Sequence, residues 1–318
     1  MRQVIYGLIF LYINAFAATA QDTAAIAKYR AVLKTDSSNA AANYQLALAL
    51  VTANKPAEAL PYAQRAIKTQ TSYTVAAYSL LGGIYDGSAQ PQKAIAIYRE
   101  GLKSYPGDQN LWFNLGLACF RDKQYNDAEE AAIEAIKLDV KHANSQRLYA
   151  LVAFHQNKRM NALLGLSSFL ITEPNSPRAE EAYTNIQSIL KGGVLKGADT
   201  KDLSAAEARE AAALNAGITS VINSTGAQKL NGPALLQYQL KCIFNLAGQA
   251  SAKKTTKTFY DKFLAAYFYQ LVQSNHVEAL AWLISKSAGK AGYEKWQQEN
   301  PAKAAAFEVW VKNTARNF

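Results

Sequence analysis

Cysteine is almost missing from this chain of 318 residues, with Cys119 and Cys242 the only two. They fall in different halves, which argues against a disulfide-stapled scaffold, and they read as two buried free thiols. Histidine is as scarce. His142, His155 and His276 stand apart, none beside Cys, Asp or Glu at a ligand spacing, so no metal is expected. A glycine-rich phosphate loop and a nucleophile elbow are lacking too, which leaves no cofactor and no catalytic residue to assign. No low-complexity tract appears, and no apolar run reaches the ~20 residues of a membrane span.

The longest apolar run, residues 4–16, follows Arg2 and precedes the small-residue stretch "ATA" before Gln21. Charge, run and cleavage site together predict a signal peptide over residues 1–20 and a periplasmic or extracellular mature chain; the competing reading is an apolar first helix. Acid is in short supply: 24 Asp and Glu face 34 Lys and Arg, a formal charge of +10. The excess is uneven, since residues 191–318 hold 16 basic and 9 acidic side chains. In an exported protein that asymmetry does not indicate nucleic acid. It is read as a solvated basic surface or as attraction to anionic envelope polymers or an acidic partner.

What the chain does have is a period. Small residues at Ala47, Gly82, Gly116 and Ala150 are each answered twelve positions later by Ala59, Ala94, Ala128 and Ala162, and successive sets step by 35, 34 and 34 residues. Between the members of each pair lies a polar turn, "TANKP", "GSAQP", "RDKQ" or "HQNK". Each repeat is therefore helix, turn, helix, with small residues where the two helices must approach closely. On the first helix of repeat three, Trp112, Leu115, Gly116 and Cys119 form the expected packing stripe.

In "YSLLGGIY", "AIAIY", Pro106 and "WFNLGLAC" this pattern resembles the tetratricopeptide repeat (TPR) family, over about residues 22–190, with repeats one and four degenerate because Ala47 and Ala150 replace glycine. The resemblance implies an all-α solenoid of helical hairpins and a role in protein interaction. The co-chaperone subclass that grips two carboxylates is not indicated. The matching positions here are Tyr44, Leu48, Leu80, Asn110 and Asn114, and none fits; a shift of one repeat brings only Asn114 into agreement. About four full repeats, flanked by single helices near residues 22–35 and 177–190, place the solenoid at 21–191. Gly192 and Gly193 stop the last helix and open a linker over 192–203.

Residues 204–318 lose the register but stay helical. Ser204 caps a helix to about Val221, "NSTGAQKLNG" reads as a loop, and Pro233 opens a helix ending near Gly248. Thr255 or Thr256 is expected to cap "KTFYDKFLAAYFYQLV", whose aromatics on nearly all sides predict the centre of a second, non-repeat all-α domain. Asp261, Glu278, Glu294, Glu299 and Glu308 are read as solvated acids rather than a catalytic pair. Trp282, Trp296 and Trp310 are either stacking platforms for sugars or core anchors.

The site expected from the repeats is a concave groove lined by their first helices. One position beyond the packing stripe stand Tyr44 and Leu48 in repeat one, Phe113, Leu117 and Phe120 in repeat three, and Leu151 and Phe154 in repeat four, with Arg121, Arg147 and His155 beside them. An apolar strip with basic edges suits a peptide, unless the C-terminal domain or a neighbouring subunit fills it. The leading expectation is an exported, non-catalytic adaptor or assembly protein that binds a segment of another envelope protein. The alternative is a hydrolase, or a carbohydrate- or anionic-polymer-binding protein, with its site in residues 204–318. Partner identity and oligomeric state stay open.

Overall fold

The period of the sequence returns in the backbone. In this computed structural model, which describes residues 18–192 and 199–318, repeat one pairs α2 (Ala40–Thr52) with α3 (Pro56–Ala66), and repeat two pairs α4 (Thr74–Gly87) with α5 (Pro91–Ser104). Repeat three is α6 (Gln109–Arg121) and α7 (Tyr125–Leu138), and repeat four is α8 (Ala143–His155) and α9 (Arg159–Thr172). One residue in each turn takes the left-handed conformation: Asn54, Ala89, Lys123 and Asn157, with φ of 59°, 56°, 62° and 57°. The same two bonds close every turn. In repeat one the amides of Asn54 and Lys55 donate to the carbonyls of Val51 and Leu50, at 2.9 and 2.8 Å.

Small residues do what the spacing predicts. Ala47, Ala59, Ala94, Ala128, Ala150 and Ala162 have no exposed surface. A Cβ added at Gly82 would lie 2.3 Å from the ring of Tyr98, itself 2 % exposed. In repeat four a Cβ on Gly165 would meet that of Ala150 at 2.9 Å. The stripe of α6 differs from expectation at one place. Leu111, Leu115, Gly116, Ala118 and Cys119 are buried, whereas Trp112 is only half-buried and its indole N–H donates to the Pro106 carbonyl at 2.8 Å. Leu111, one residue earlier, takes the core position.

Two compact units divide inside α6, residues Met1–Ala118 and Cys119–Phe318. In the first, α1 (Ala18–Thr35) packs on α2 and α3 packs on α4. Of the expected signal peptide, residues 1–17 lie outside the described residues; so do residues 193–198 of the expected linker, and both flanks of that linker belong to the second unit.

In the second unit α9 is the hub. It packs on α8 and α10 (Pro177–Leu190), and also on α11 (Ala205–Ile222), α13 (Gly232–Ala252) and α15 (Val277–Ser285). Ser204 caps α11 in a reciprocal box with Glu207. The expected loop "NSTGAQKLNG" instead contains one helical turn, α12 (Thr225–Gln228), because Ser224 accepts from the Ala227 amide. Pro233 sits in the first turn of α13, which continues past Gly248 to Ala252.

The aromatic helix starts later than Thr255 or Thr256. Thr258 donates through its amide and hydroxyl to Asp261 Oδ2, at 2.9 and 2.7 Å, and the chain enters a π-helical segment, Tyr260–Ala265, before α14 (Ala266–Gln273). Phe263, Tyr267 and Phe268 are buried there, so the all-round aromatic pattern does mark a core helix. Beyond α15 come α16 (Lys290–Glu299) and α17 (Pro301–Asn313). Among the described residues every regular element is helical.

Candidate functional site

The residues expected to line a groove fall in both units. In the first, Leu46, Ala47 and Leu50 turn one face of α2 inward with no exposed surface, which leaves Tyr44 and Leu48 on the other. Leu48 is 38 % exposed, and Tyr44 stacks on Tyr73 at 5.4 Å. Phe113 and Leu117 of α6 are half-buried.

In the second unit Phe120 meets the edge of His155 at 5.0 Å, and Tyr125 stacks on the same imidazole at 5.4 Å. Burial holds the His155 pKa below the ordinary histidine value, so at neutral pH it is an uncharged ring in an aromatic group rather than a basic edge. The Asp199 amide donates to the His155 carbonyl at 2.9 Å, and Asn126 donates to the Asp202 carbonyl at 2.7 Å, so the chain after the expected linker runs along this end of α8. Arg147 is tied to Glu181 of α10. Arg121 is exposed, Leu151 half-buried, and Phe154 only 5 % exposed, which leaves that ring little surface to offer a partner.

Polar groups join α9 to the C-terminal helices, and the sequence singled out none of Lys158, Arg159 and Asn215 among them. Lys158, 8 % exposed, forms ion pairs with Glu129 at 2.6 Å and Glu207 at 3.7 Å. The Arg159 amide and guanidinium donate to Asn215 Oδ1 and its carbonyl, at 3.1 and 3.2 Å, and Asn215 donates to the Asn157 carbonyl at 2.7 Å. Asp261 is 1 % exposed; burial alone would raise its pKa, but Lys254 at 2.9 Å and the Thr258 hydrogen bonds hold it below the ordinary carboxylate value. The available signal was a lone polar residue in an apolar helix, as with Asn215 between Leu214 and Ala216.

Of the acids considered for catalysis, Asp261 is held by Lys254, Glu278 accepts from Trp296 and Lys303, and Glu294 and Glu299 pair with Lys290 and Lys295. Trp282 stacks on Trp296 at 5.9 Å, and Trp310 lies 4.9 Å from Tyr267, so all three indoles are engaged within the fold. Among the described residues no group of three or more His, Cys, Asp or Glu could hold a metal ion, and no helix is long and apolar enough to cross a membrane.

The tetratricopeptide repeat family matches residues 15–74 and 80–136. Comparison with curated proteins gives no match. Among solved structures, MamA is similar at 20 % identity and a TM-score of 0.46, over 53 % of this chain and 96 % of that one. YrrB, described as a TPR protein with an unusual peptide-binding site, gives 20 % identity and a TM-score of 0.44 over 51 % and 83 %. The pilF protein of Pseudomonas aeruginosa gives 16 % and 0.43 over 82 % and 97 %. From the period of its small residues, the helix pairs they close and the family match, the chain carries tetratricopeptide repeats over residues 15–136.

Proposed function

We propose that the protein is an exported, non-catalytic adaptor or assembly factor that holds a segment of another cell-envelope protein against the first helices of its repeats. TPR proteins are typically non-catalytic interaction scaffolds, which supports that part of the reading. The observation that carries the rest is the two-sided character of α2. One face is fully buried in its hairpin, while Leu48, beside the Tyr44–Tyr73 stack, keeps 38 % of its surface in solvent with no structural task in the repeat. Exposed apolar surface of this kind, on a helix already packed on its other side, suits an apolar anchor from a partner. The N-terminal pattern of Arg2, the apolar run and "ATA" supports export.

Two measurements test the reading. Intact mass of protein recovered from the envelope fraction is expected to begin at or near Gln21; a full-length chain defeats export. Leu48→Ala with Phe113→Ala is expected to weaken crosslinked capture of envelope partners at least tenfold, about 1.4 kcal/mol, with melting little changed. Undiminished capture by the folded variant removes the first-helix surface from consideration.

A further inference from the structure

Within the second unit, residues of the α7–α8 and α9–α10 connections and of α14 to α17 surround a cavity of about 790 Å³. None of the first-helix residues discussed above lines it. Its wall is largely aromatic and aliphatic, with Tyr267, Leu283, Trp296, Phe307 and Val311 contributing. Its charge is one-sided: Lys141, Lys286, Lys312 and Arg316 line it against a single carboxylate, Glu308, among the described residues.

These cations are not spent on the protein's own acids. Lys141 and Lys312 form no ion pair among the described residues, and Lys286 lies over the Tyr293 ring at 4.9 Å. Arg316 is drawn in furthest. Its guanidinium is 4.1 Å from the Tyr267 ring centre and 5.0 Å from that of Phe263, and it donates to the buried Ser168 hydroxyl. No carboxylate of the described residues neutralises it, and burial lowers its pKa accordingly. A cation taken out of water is normally matched by an anion. Here rings and a hydroxyl stand in.

We propose that this cavity binds an acidic peptide segment of a partner protein, its large apolar side chain packing against the half-buried Leu283, Tyr293 and Val311 and its carboxylates meeting Arg316, Lys286, Lys312 and Lys141. Charge complementarity selects this occupant. A fatty acid brings one carboxylate, which Arg316 alone would satisfy, whereas four cations around one apolar floor call for a chain carrying several acids. The side-chain amides of Asn175, Gln297 and Asn313 also line the cavity and suit a peptide backbone better than an acyl chain. The volume falls within the range of ligand sites, roughly 300–1,000 Å³.

The test uses the full chain and a short fluorescein-labelled peptide in which glutamates flank two phenylalanines. Its twin carries glutamine for every glutamate, and palmitate is the third probe. Anisotropy is expected to show saturable binding of the acidic peptide that weakens with rising salt, and at least tenfold weaker binding of the twin. Lys286→Glu with Lys312→Glu is expected to lower affinity for the acidic peptide at least tenfold without changing the melting curve. Lys141→Glu, on an exposed side chain across the cavity, decides the matter by itself if the double variant unfolds. Leu48→Ala with Phe113→Ala is expected to bind the probe as the parent does, which separates this site from the first-helix surface. Equal binding of the two peptides, affinity unchanged by the lysine variants, or binding of palmitate without the acidic peptide overturns the proposal.

Discussion

The turn of repeat four and the turn between α14 and α15 have the same backbone and opposite consequences. At the first, the amides of Asn157 and Lys158 donate to the carbonyls of Phe154 and Ala153; at the second, those of Asn275 and His276 donate to Val272 and Leu271, with Asn275 at a φ of 58° against 57° for Asn157. In repeat four the residues seven before and five after the left-handed position are Ala150 and Ala162, and α8 and α9 close tightly on each other. Counted the same way from Asn275, the residues are Phe268 and Leu280. There α14 and α15 pack on α13 instead of tightly on each other, and the two large side chains are buried. A turn is a local matter of one left-handed residue and two hydrogen bonds. Whether it makes a hairpin depends on the bulk of two residues some distance away.

The largest effect is expected when the second turn is given the residue that suits the first. Phe268 has no exposed surface and lies 4.5 Å from Phe244. Alanine is native at position 150, but Phe268→Ala is expected to leave a cavity and cost about 3–5 kcal/mol, read from the urea midpoint and slope. A loss under 1 kcal/mol would mean that α14 and α15 can close like a repeat, and that the bulk of Phe268 does not hold them apart.

The two turns also differ in how plainly their sequences announce them. Repeats one to four were legible because a small residue is informative when it returns at a fixed step, and the hairpins and their turns follow from it, while the stop at Gly192 follows from the glycine doublet. The α14–α15 turn carries the same geometry but no small pair and no shared step, so only the aromatic pattern remained, which indicates burial and nothing about neighbours. Trp112 was placed in the core because a large aromatic is the expected choice there; the helix phase gives that place to Leu111, and the indole settles on the Pro106 carbonyl. In the candidate surface, Leu48 is exposed as the helical phase requires, whereas Phe154 is buried and Arg147 is tied to Glu181. Those contacts join elements far apart in sequence, as do Lys158 with Glu207 and Arg316 with Ser168, and no local pattern announces them.

The converse substitution, on the repeat side, has a smaller expected effect. Gly82→Leu puts bulk where α4 meets α5, against the buried ring of Tyr98. Overpacking of this kind is expected to cost about 1–3 kcal/mol. Gly83, the next residue, has open space where a Cβ would go, so Gly83→Leu serves as the control and is expected to be neutral or mildly stabilising. Equal behaviour of the two would show that closeness at position 82 is not what shapes the hairpin.

The smallest effect lies in the turns themselves, and it tests the element that the two regions share. Asn54, Asn157 and Asn275 fill the left-handed position with a residue that tolerates it, whereas Ala89 and Lys123 fill it with side chains that do not. The local penalty for an ordinary L-residue there is on the order of 1 kcal/mol, and part of what glycine would recover is offset by the freedom glycine gains in the unfolded chain. Ala89 and Lys123 are exposed, so removing either side chain gives up little packing. Ala89→Gly and Lys123→Gly are therefore each expected to raise stability by about 0.5 kcal/mol at most, seen as a higher urea midpoint at unchanged slope. Asn54→Gly and Asn275→Gly are expected to change it less, and by the same amount as each other, because one is in a closed hairpin and the other in an open one while the backbone they serve is the same. A gain at Ala89 with a clear loss at Asn275 would show that the open turn depends on the asparagine side chain, and the shared geometry would then have two different origins.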